Sequence, residues 1–307
     1  MIRSILLAAL AVDLAPVPPP LPPALPTGWS LQKLTGISGP EALVCTGARA
    51  YVRSWSGDVS QFDGATWSTL PRLAESAYGR SLAASPDGHV FLEAGSNIVE
   101  WDGAAWVTHP LDRWDGDLDG QFAAEAASEV YYVGRGRVAR RTASGFATFG
   151  AGTWRSLSAV AVVGPDLWVG GQGGTVLQFN GSTWTRQDTR TDRWIRRLIA
   201  FSPTDVWALA DGATYNQSTI LHWDGSSWRP RDRGLPANGP VEGLGGAPDK
   251  LYAAGDFGLA RWSGDTWTLE IDKAALGPDY HALDDVCATD RHILVSDKSG
   301  NILQRAR

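Results

Sequence analysis

The sequence has few of the residue types from which metal sites and catalytic centres are built. Its 307 residues include only two cysteines and five histidines, and the histidines do not recur at metal-binding spacings. Gly-x-Ser-x-Gly, His-Glu-x-x-His and the glycine-rich phosphate loop are all missing from the chain. We therefore expect a protein with no catalytic residues and no certain cofactor, whose activity is binding.

Long runs of one charge sign or of apolar residues are missing too. The net charge is -6, and no run of lysine and arginine is long enough to follow a phosphate backbone, so we expect no nucleic-acid partner. The apolar run at residues 5–12 is far shorter than the roughly 20 residues that span a membrane. Because the run follows Arg3 and contains Ala9-Leu10-Ala11 as a possible cleavage triplet, residues 1–15 resemble a short secretion signal, and a disordered start is the alternative.

Residues 16–27 are dominated by proline, which favours extended polyproline geometry over a helix or a central strand. We interpret this segment as a spacer that holds the following module away from a membrane, a wall or a partner, with a solvated tail as the alternative. Together the two segments predict a secreted, periplasmic or cell-surface protein, associated with the surface through its amino terminus.

A seven-residue pattern recurs in the rest of the chain with a period of roughly 40 residues, which is typical of a repeat protein. In each copy an aromatic residue precedes an Asn-Gly, Asp-Gly or Ser-Gly pair, and a tryptophan follows three residues after the glycine. Asn-Gly and Asp-Gly between apolar runs favour the tight turns of β-hairpins. The copies span residues 61–67, 100–106, 178–184, 222–228 and 261–267.

The pattern predicts an all-β fold for residues 28–307: a seven-bladed β-propeller of four-stranded antiparallel blades. After the sixth repeat only three further strands follow, and we expect an amino-terminal strand at residues 28–34 to close the last blade and remove the open edges. One such closed domain is expected to be a monomer. The six complete repeats lie at roughly 40–71, 79–110, 120–150, 156–189, 195–232 and 241–272.

The turn motif resembles that of bacterial exported β-propellers with Trp-Asp-Gly-x-x-Trp blade repeats. A looser similarity, to tectonin-type lectin propellers, rests on Asp205-Val206-Trp207 and Ser218-Thr219-Ile220-Leu221. The resemblance implies a seven-bladed fold and binding as the general activity, without a particular ligand.

The two cysteines occupy the same position in the first and last repeats, as Val44-Cys45-Thr46 and Val286-Cys287-Ala288. If the repeats close into a ring, these positions become neighbours and a disulfide could join them. The alternative, two buried apolar thiols, is the one that we expect.

Eleven of the 15 tryptophans hold a fixed place in the repeats, where an aromatic ring is best explained by packing between blades. The four others are Trp55, Trp114, Trp154 and Trp194. Of these we assign a ligand role to Trp114 and Trp194, because they lie in connections between blades, where packing does not require them.

The connections between blades emerge on one rim of the ring, together with the loops between second and third strands. They carry aromatic residues beside charged ones, which suits a protein surface or a glycan, and a solvated loop face is the alternative. A second hypothesis is a propeller hydrolase or lyase that acts on polysaccharide with rim residues from several blades. The predicted ligand-binding residues are Tyr78, Trp114, Arg190, Asp192, Trp194, Tyr215 and Tyr280.

One loop has the Asp-x-Asp-x-Asp-Gly form of a calcium site. Its alternate carboxylates, Asp115, Asp117 and Asp119, could converge on one hard cation, with the carbonyl of Gln121 as a further ligand. The later carboxylate of known calcium loops is replaced by alanine, at Ala123 or Ala126 according to the loop type. Calcium is therefore a candidate cofactor, and an acidic surface turn is the alternative.

Overall fold

The computed structural model describes residues 25–35, 37, 39–73, 81–111, 120–214, 217–237, 239–277 and 282–307. These residues form seven four-stranded antiparallel sheets. The first strand of each repeat contacts the first strand of the next repeat, and these contacts close a ring. The sheets are thus the blades of a propeller, and the predicted all-β, seven-bladed fold is confirmed.

The strands follow the repeats in order, except that β1 (Trp29–Lys33) belongs to the last blade. Blade I consists of β2 (Pro40–Thr46), β3 (Arg49–Ser54), β4 (Val59–Phe62) and β5 (Trp67–Thr69). Blade II consists of β6 (Leu82–Ala84), β7 (Val90–Ala94), β8 (Asn97–Trp101) and β9 (Trp106–Pro110). Blade III consists of β10 (Gln121–Ala126), β11 (Glu129–Gly134), β12 (Arg137–Thr142) and β13 (Gly145–Gly150).

Blade IV consists of β14 (Leu157–Val163), β15 (Asp166–Gly171), β16 (Thr175–Phe179) and β17 (Trp184–Arg186). Blade V consists of β18 (Ile195–Ser202), β19 (Asp205–Asp211), β20 (Ser218–Trp223) and β21 (Trp228–Pro230). Blade VI consists of β22 (Val241–Ala247), β23 (Lys250–Gly255), β24 (Gly258–Trp262) and β25 (Trp267–Asp272). Blade VII consists of β26 (Leu283–Ala288), β27 (His292–Asp297), β28 (Asn301–Ala306) and β1.

Two 3-10 turns, Gln172–Gly174 and Lys273–Leu276, are the only helical segments among the described residues. Within this part of the chain, no helix is long and apolar enough to cross a membrane.

Strand β1 completes blade VII as the sequence predicts. It pairs with β28 along its whole length, from Trp29 opposite Arg305 to Lys33 opposite Asn301. The indole N–H of Trp29 also donates a hydrogen bond to Glu270 Oε1 of blade VI, at 2.8 Å. The amino-terminal strand therefore covers the edge that β28 would otherwise expose.

A disulfide joins Cys45 to Cys287, so the expectation of two separate thiols is wrong. The two residues lie on β2 and β26, the adjacent inner strands of the first and last blades, and their Cα atoms are 5.5 Å apart. This distance lies within the range that a disulfide bridges without backbone movement. The bond adds a covalent link at the point where the ring closes.

The repeated tryptophans pack between blades, as expected from their fixed places. Trp168 of blade IV meets Trp228 of blade V edge to face, with ring centroids 6.0 Å apart. Trp29 meets Tyr252 of blade VI in the same way, at 6.4 Å. In the irregular blade III, Phe146 replaces the tryptophan and packs against Phe91 of blade II. Large aromatic contacts of this kind recur around the ring and hold neighbouring blades together.

Local hydrogen bonds and a positive φ explain why Asp-Gly recurs in the turns. The carboxylate of Asp63 accepts hydrogen bonds from the backbone N–H groups of Ala65 and Thr66, while Gly64 takes a φ of 101°. Hydrogen bonds from Thr66 and Ala65 hold the pKa of Asp63 below its ordinary value. The same acceptor pattern recurs at Asp102, Asn180 and Asp224.

Candidate functional site

The ring has two unlike faces. One, here called the turn face, carries the Asp-Gly hairpins between third and fourth strands. The other, here called the connection face, carries the segments between blades and the loops between second and third strands. Backbone hydrogen bonds join these two kinds of loop, as from Trp55 N to Gly39 O at 3.0 Å and from Asp211 N to Trp194 O at 3.0 Å. Residues far apart in the chain thus share the connection face.

All exposed tryptophans of the described residues lie on the connection face. The exposed fractions are 83% for Trp154, 63% for Trp55 and 39% for Trp194. The other large exposed apolar side chains are Leu31, Val107 and Leu269, which lie on the outer strands β1, β9 and β25. Exposed aromatic rings on one face of a repeat protein are typical of a binding surface.

A surface cavity of about 460 Å³ lies on blade IV, beside the connection that leads to Trp194. One wall is the Gly173-Gly174 turn, and the other is the connection from Arg186 to Asp192. Gly174 N donates to Arg193 O at 2.7 Å, and the Thr189 hydroxyl donates to Gly174 O at 2.8 Å. These bonds fix the two walls against each other, so the cavity is preformed.

Gly174 has to be a glycine for the walls to meet. Its φ is 64°, and a Cβ atom there would lie 1.8 Å from the carbonyl oxygen of Thr191. A side chain would therefore push the connection away from the turn and open the cavity wall.

Trp154 and Arg155 extend this surface towards blade III. The Arg155 guanidinium carbon lies 5.1 Å from the centroid of the Trp154 ring, within the range of a cation–π contact. A Cβ on Gly173 would lie 2.1 Å from Arg155 Nη1, so the arginine covers the Gly173-Gly174 turn. Arg155 thus connects Trp154 to the cavity wall, and the Trp194 indole N–H bonds Ser158 Oγ on the same blade. The cavity, Trp154, Arg155 and Trp194 are here called the aromatic patch.

A larger cavity of about 690 Å³ runs between the seven inner strands, on the axis of the ring. Its end on the turn face is lined by small and apolar residues together with the Cys45–Cys287 disulfide. Its end on the connection face carries charged side chains. These are Glu41, Arg196, Arg197, Glu242, Asp284, Asp285 and Lys298.

Asp285 and Arg197 form a bidentate ion pair across this channel. Arg197 Nη2 lies 2.8 Å from Asp285 Oδ2, and its Nη1 bonds the other carboxylate oxygen. Asp285 also accepts from the backbone N–H groups of Leu43 and Val286, at 3.3 Å and 2.8 Å. The residue Asp285 is 6% exposed. The four contacts of its carboxylate connect blades V, VII and I. This pair is structural, because its hydrogen-bonding capacity is filled from within the protein.

Asp284, the preceding residue, is placed very differently. Its carboxylate accepts no hydrogen bond from any residue that the structure describes, and Lys298 Nζ lies 3.9 Å from its Oδ1. Burial raises the pKa of Asp284 to about 7, with further contributions from the negative charges of Asp285, Glu242 and Glu41 that outweigh Lys298. The channel therefore contains one carboxyl group whose charge changes near neutral pH.

The structure describes three of the seven predicted ligand-binding residues, and it brings them together. Arg190 and Asp192 line the smaller cavity, and Trp194 follows in the same connection, with its indole N–H bonded to Ser158 Oγ. Both charged side chains are exposed and have charged neighbours, at 4.0 Å for Arg190–Asp188 and 3.5 Å for Asp192–Arg193. The other four, Tyr78, Trp114, Tyr215 and Tyr280, lie outside the described residues.

The calcium prediction also falls mostly outside the described residues, which include none of Asp115, Asp117 and Asp119. Gln121 is described: it begins β10, pairs with Val133 and lines the central channel. Among the described residues, no three metal-ligating side chains lie close enough to hold an ion. Calcium stays a prediction.

Sequence reasoning missed two parts of this face. The sequence assigns no ligand role to Trp154 or Trp55. Both share one signal with Trp194, because all three lie outside the fixed tryptophan positions of the repeats. The channel charges were missed entirely. Their signal is a charged second or third residue in otherwise apolar inner strands, as in Pro-Glu-Ala-Leu at 40–43, Val-Glu-Gly-Leu at 241–244 and Leu-Asp-Asp-Val at 283–286.

The seven four-stranded blades around a charged axial channel define a β-propeller. No protein-family model matches the sequence, and no curated protein matches it either. Solved structures do match over nearly the whole chain.

One is YCF48 bound to D1 peptide, at 15% identity and a TM-score of 0.69, covering 93% of this chain and 99% of that one. Another is a catalytically inactive virginiamycin B lyase from Staphylococcus aureus with quinupristin, at 13% identity and a TM-score of 0.71, covering 91% and 99%. A third is the WD40 propeller domain of Doa1, at 12% identity and a TM-score of 0.72, covering 91% and 97%. At these identities the likeness shows the fold, which is shared by binding scaffolds and by a lyase.

Proposed function

We propose that this chain is an exported, non-catalytic binding scaffold that holds a protein partner on the connection face, at the aromatic patch. The observation that carries the proposal is the placement of the exposed tryptophans, all of which lie on that face within the described residues. Trp154 leaves 83% of its surface in water, which costs free energy unless a partner covers it.

The composition of the patch favours a protein partner. Tryptophan and arginine are the residues that most often dominate the binding energy of protein interfaces. Here Arg155 stacks on Trp154 and covers the Gly173-Gly174 wall of the preformed cavity, and Trp194 follows the connection that forms the other wall. A rigid cavity wall also reduces the entropy lost on binding. The structural neighbour YCF48 holds a peptide, and this supports the same class of ligand. A glycan would use the same aromatic rings and is an outcome of the test below.

Export is supported by the disulfide. A bond between Cys45 and Cys287 persists in oxidising compartments and is rare in the cytosol. The secretion-like residues 1–15 and the proline-rich spacer at 16–27 agree with this. We propose that the amino-terminal segment holds the ring near the cell surface. Sequencing the amino terminus of the mature protein tests the export proposal.

A second candidate, a lyase or hydrolase acting on polysaccharide, has one observation in its favour. Asp284 has a pKa of about 7 because of its burial in the channel, and such a group suits proton transfer at neutral pH. Turnover of a polysaccharide panel by the purified chain, lost on Asp284→Asn, would establish this candidate over the binding scaffold.

The binding proposal is tested by comparing two double variants. Trp154→Ala with Trp194→Ala removes exposed rings from the patch, whereas Val107→Ala with Leu269→Ala removes exposed apolar groups from outer strands. Partners are captured from the surface fraction of the parent cell, and a glycan array is probed in parallel. We expect the first pair to weaken a protein partner by at least about 30-fold, since a tryptophan hot spot contributes 2 kcal/mol or more. Equal loss in both pairs, or a signal confined to the array, would contradict the proposal.

A further inference from the structure

The aromatic patch and the loops around it are positively charged, although the whole chain has a net charge of -6. The loops in question span residues 133–137, 148–158, 170–175 and 186–194. They contain two aspartates, no lysine, no glutamate and six arginines: Arg135, Arg137, Arg155, Arg186, Arg190 and Arg193. A basic surface on an acidic protein favours an acidic partner.

Close backbone contacts bring these loops together. A Cβ on Gly136 would lie 3.1 Å from Arg155 O, so the loop between β11 and β12, which carries Arg135, packs on the backbone of Arg155. The Arg155 side chain in turn covers Gly173 in one wall of the cavity. Arg186 belongs to the other wall. The positive charges of blades III and IV therefore share one surface.

These arginines are poorly neutralised from within the protein. In the part of the chain that the structure describes, neither Arg155 nor Arg186 forms an ion pair. Arg190 and Arg193 are paired with exposed aspartates of their own connection, at 4.0 Å and 3.5 Å, and exposed pairs of this kind are weak. A carboxylate of a partner would therefore meet cations that are available to bind it.

Arg155 is already held in a geometry that suits a carboxylate. Its guanidinium carbon lies 5.1 Å from the centroid of the Trp154 ring, and its Nη1 lies against Gly173. A guanidinium that packs on a ring keeps its N–H donors in its own plane, where two of them can bond both oxygens of one carboxylate. Because the side chain is held before binding, less entropy is lost on binding.

Two other arginines of this face have a strained backbone. Arg135 has a φ of 47° and Arg190 a φ of 56°, and these two are the non-glycine residues with positive φ among those that the structure describes. Glycine or asparagine adopts a positive φ at lower cost, and strained residues cluster at ligand-binding sites. A ligand that binds the two side chains explains why arginine occupies both positions.

We infer that the aromatic patch binds an acidic segment of the partner protein, whose aspartate and glutamate carboxylates pair with Arg155, Arg186 and Arg190. An apolar side chain of the same segment covers Trp154. The inference rests on the proposed function and names the chemistry of the partner at that site. The cavity of about 460 Å³ admits a carboxylate side chain between its two walls.

Two aspartates favour carboxylates over phosphate groups. Asp188 and Asp192 line the same cavity as Arg186 and Arg190. Their repulsion grows with the charge of the incoming anion, so a doubly charged phosphate is opposed more strongly than a carboxylate. The site is thus assigned to acidic side chains rather than to a phosphorylated segment.

The test compares three blocked peptides. They are acetyl-Glu-Leu-Glu-Glu-Leu-Glu-amide, the nearly isosteric and uncharged peptide with glutamine at each glutamate, and a peptide with phosphoserine at each glutamate. Binding to the full chain is measured by titration calorimetry at low and at high salt. At low salt we expect the glutamate peptide to bind at least about tenfold more tightly than the glutamine peptide, and this preference should shrink at high salt. The phosphoserine peptide should bind no more tightly than the glutamate peptide.

Paired variants locate the binding. Arg155→Gln with Arg186→Gln should reduce the preference for glutamate to less than about threefold, because both unpaired cations are lost. The matched control is Arg140→Gln with Arg291→Gln, which lies outside the aromatic patch and should keep the preference. Arg140 also lies over a ring, 5.6 Å from the Tyr131 centroid, and Arg291 is exposed in the turn between β26 and β27.

A further variant should bind the glutamate peptide more tightly, so the inference is testable even where the arginine variant does not fold. Asp188→Asn with Asp192→Asn removes both negative charges from the cavity wall and should raise the affinity for the glutamate peptide. Equal binding of the glutamate and glutamine peptides, the same loss in the arginine variant and its control, or tighter binding of the phosphoserine peptide would overturn the inference.

The captured partner separates this inference from the proposed function. Its binding should weaken as salt is raised and in the Arg155→Gln with Arg186→Gln variant. A partner that depends on Trp154 and Trp194 but not on salt or the arginines would leave the proposed function standing and overturn this inference. A partner that is insensitive to the two tryptophans would overturn the proposed function instead.

Discussion

Replacing Asp284 with asparagine should stabilise the protein at pH 8 and leave its stability nearly unchanged at pH 3.5. Burial and the neighbouring carboxylates raise the pKa of this group from 3.8 to about 7 in the folded chain. Between these values the folded state binds more protons than the unfolded state, so stability falls as the pH rises from about 4 to about 7 and is constant above. Asparagine carries no charge and avoids this loss.

The size of the effect follows from the pKa difference. At about 1.4 kcal/mol per pH unit, the move from 3.8 to about 7 corresponds to about 4 kcal/mol of lost stability above neutral pH. For a chain of this length, an unfolding entropy of about 2.1 cal/mol/K per residue converts that into roughly 7 °C of melting temperature. The Asp284 side chain is 22% exposed, so solvent screening is limited.

The assay is a series of thermal melts from pH 3.5 to 8.5 for the unmodified chain, Asp284→Asn and Asp192→Asn. The side chain of Asp192 is 91% exposed, and its variant should follow the unmodified chain at every pH. The midpoint difference for Asp284→Asn should grow between pH 4 and 7 and then stay constant. A difference that is independent of pH, or a variant less stable at pH 8, would refute the reasoning about this carboxyl group.

Three further predictions concern the ring as a whole. The double variant Cys45→Ser with Cys287→Ser should be about 5 kcal/mol less stable than the oxidised protein, because the disulfide closes a loop of 242 residues and restricts the unfolded chain. Denaturant unfolding with and without a reductant measures this loss, and identical unfolding midpoints would contradict it. Removing residues 1–24 should leave the melting temperature unchanged, whereas removing those before Gly36 also deletes β1 and should lower it sharply. Equal melts for the two truncations would refute the closure. If Asp115, Asp117 and Asp119 bind calcium, the melting temperature should be higher in calcium than in a chelator, and Asp117→Ala should abolish this difference. The same melting temperature in both buffers for the unmodified chain would contradict the calcium site and leave an acidic turn.

The repeat architecture could be predicted because each of its causes is local. Asp63, Gly64 and Trp67 hold fixed places in the hairpin, where the carboxylate accepts two backbone hydrogen bonds and the glycine supplies a positive φ. Such requirements recur in blades I, II, IV and V, so the period is visible in the sequence. The closing strand at Trp29–Lys33 could also be predicted, because the last repeat supplies only three strands and its blade needs a fourth.

The disulfide and the channel charges depend on distances between blades, which the sequence does not encode locally. Cys45 and Cys287 align in the repeats, yet only the approach of β2 and β26 to 5.5 Å between Cα atoms allows the bond. Asp284 and Asp285 are consecutive carboxylates, and the sequence alone does not distinguish them. The bulge at Asp284 separates their roles, because Asp285 receives Arg197 and two backbone N–H groups while Asp284 receives none from the described residues.

The central claim is that the connection face binds the partner, and a photo-crosslinking comparison tests it most directly. A photoreactive phenylalanine analogue is placed either at Trp154 on the connection face or at Ala104, an exposed residue in a hairpin on the turn face. Both proteins are illuminated in the surface fraction of the parent cell, and the covalent adducts are identified by mass spectrometry. The account predicts one protein adduct enriched at position 154 and suppressed by excess unlabelled chain. The same adduct at both positions, or at position 104 alone, would contradict it.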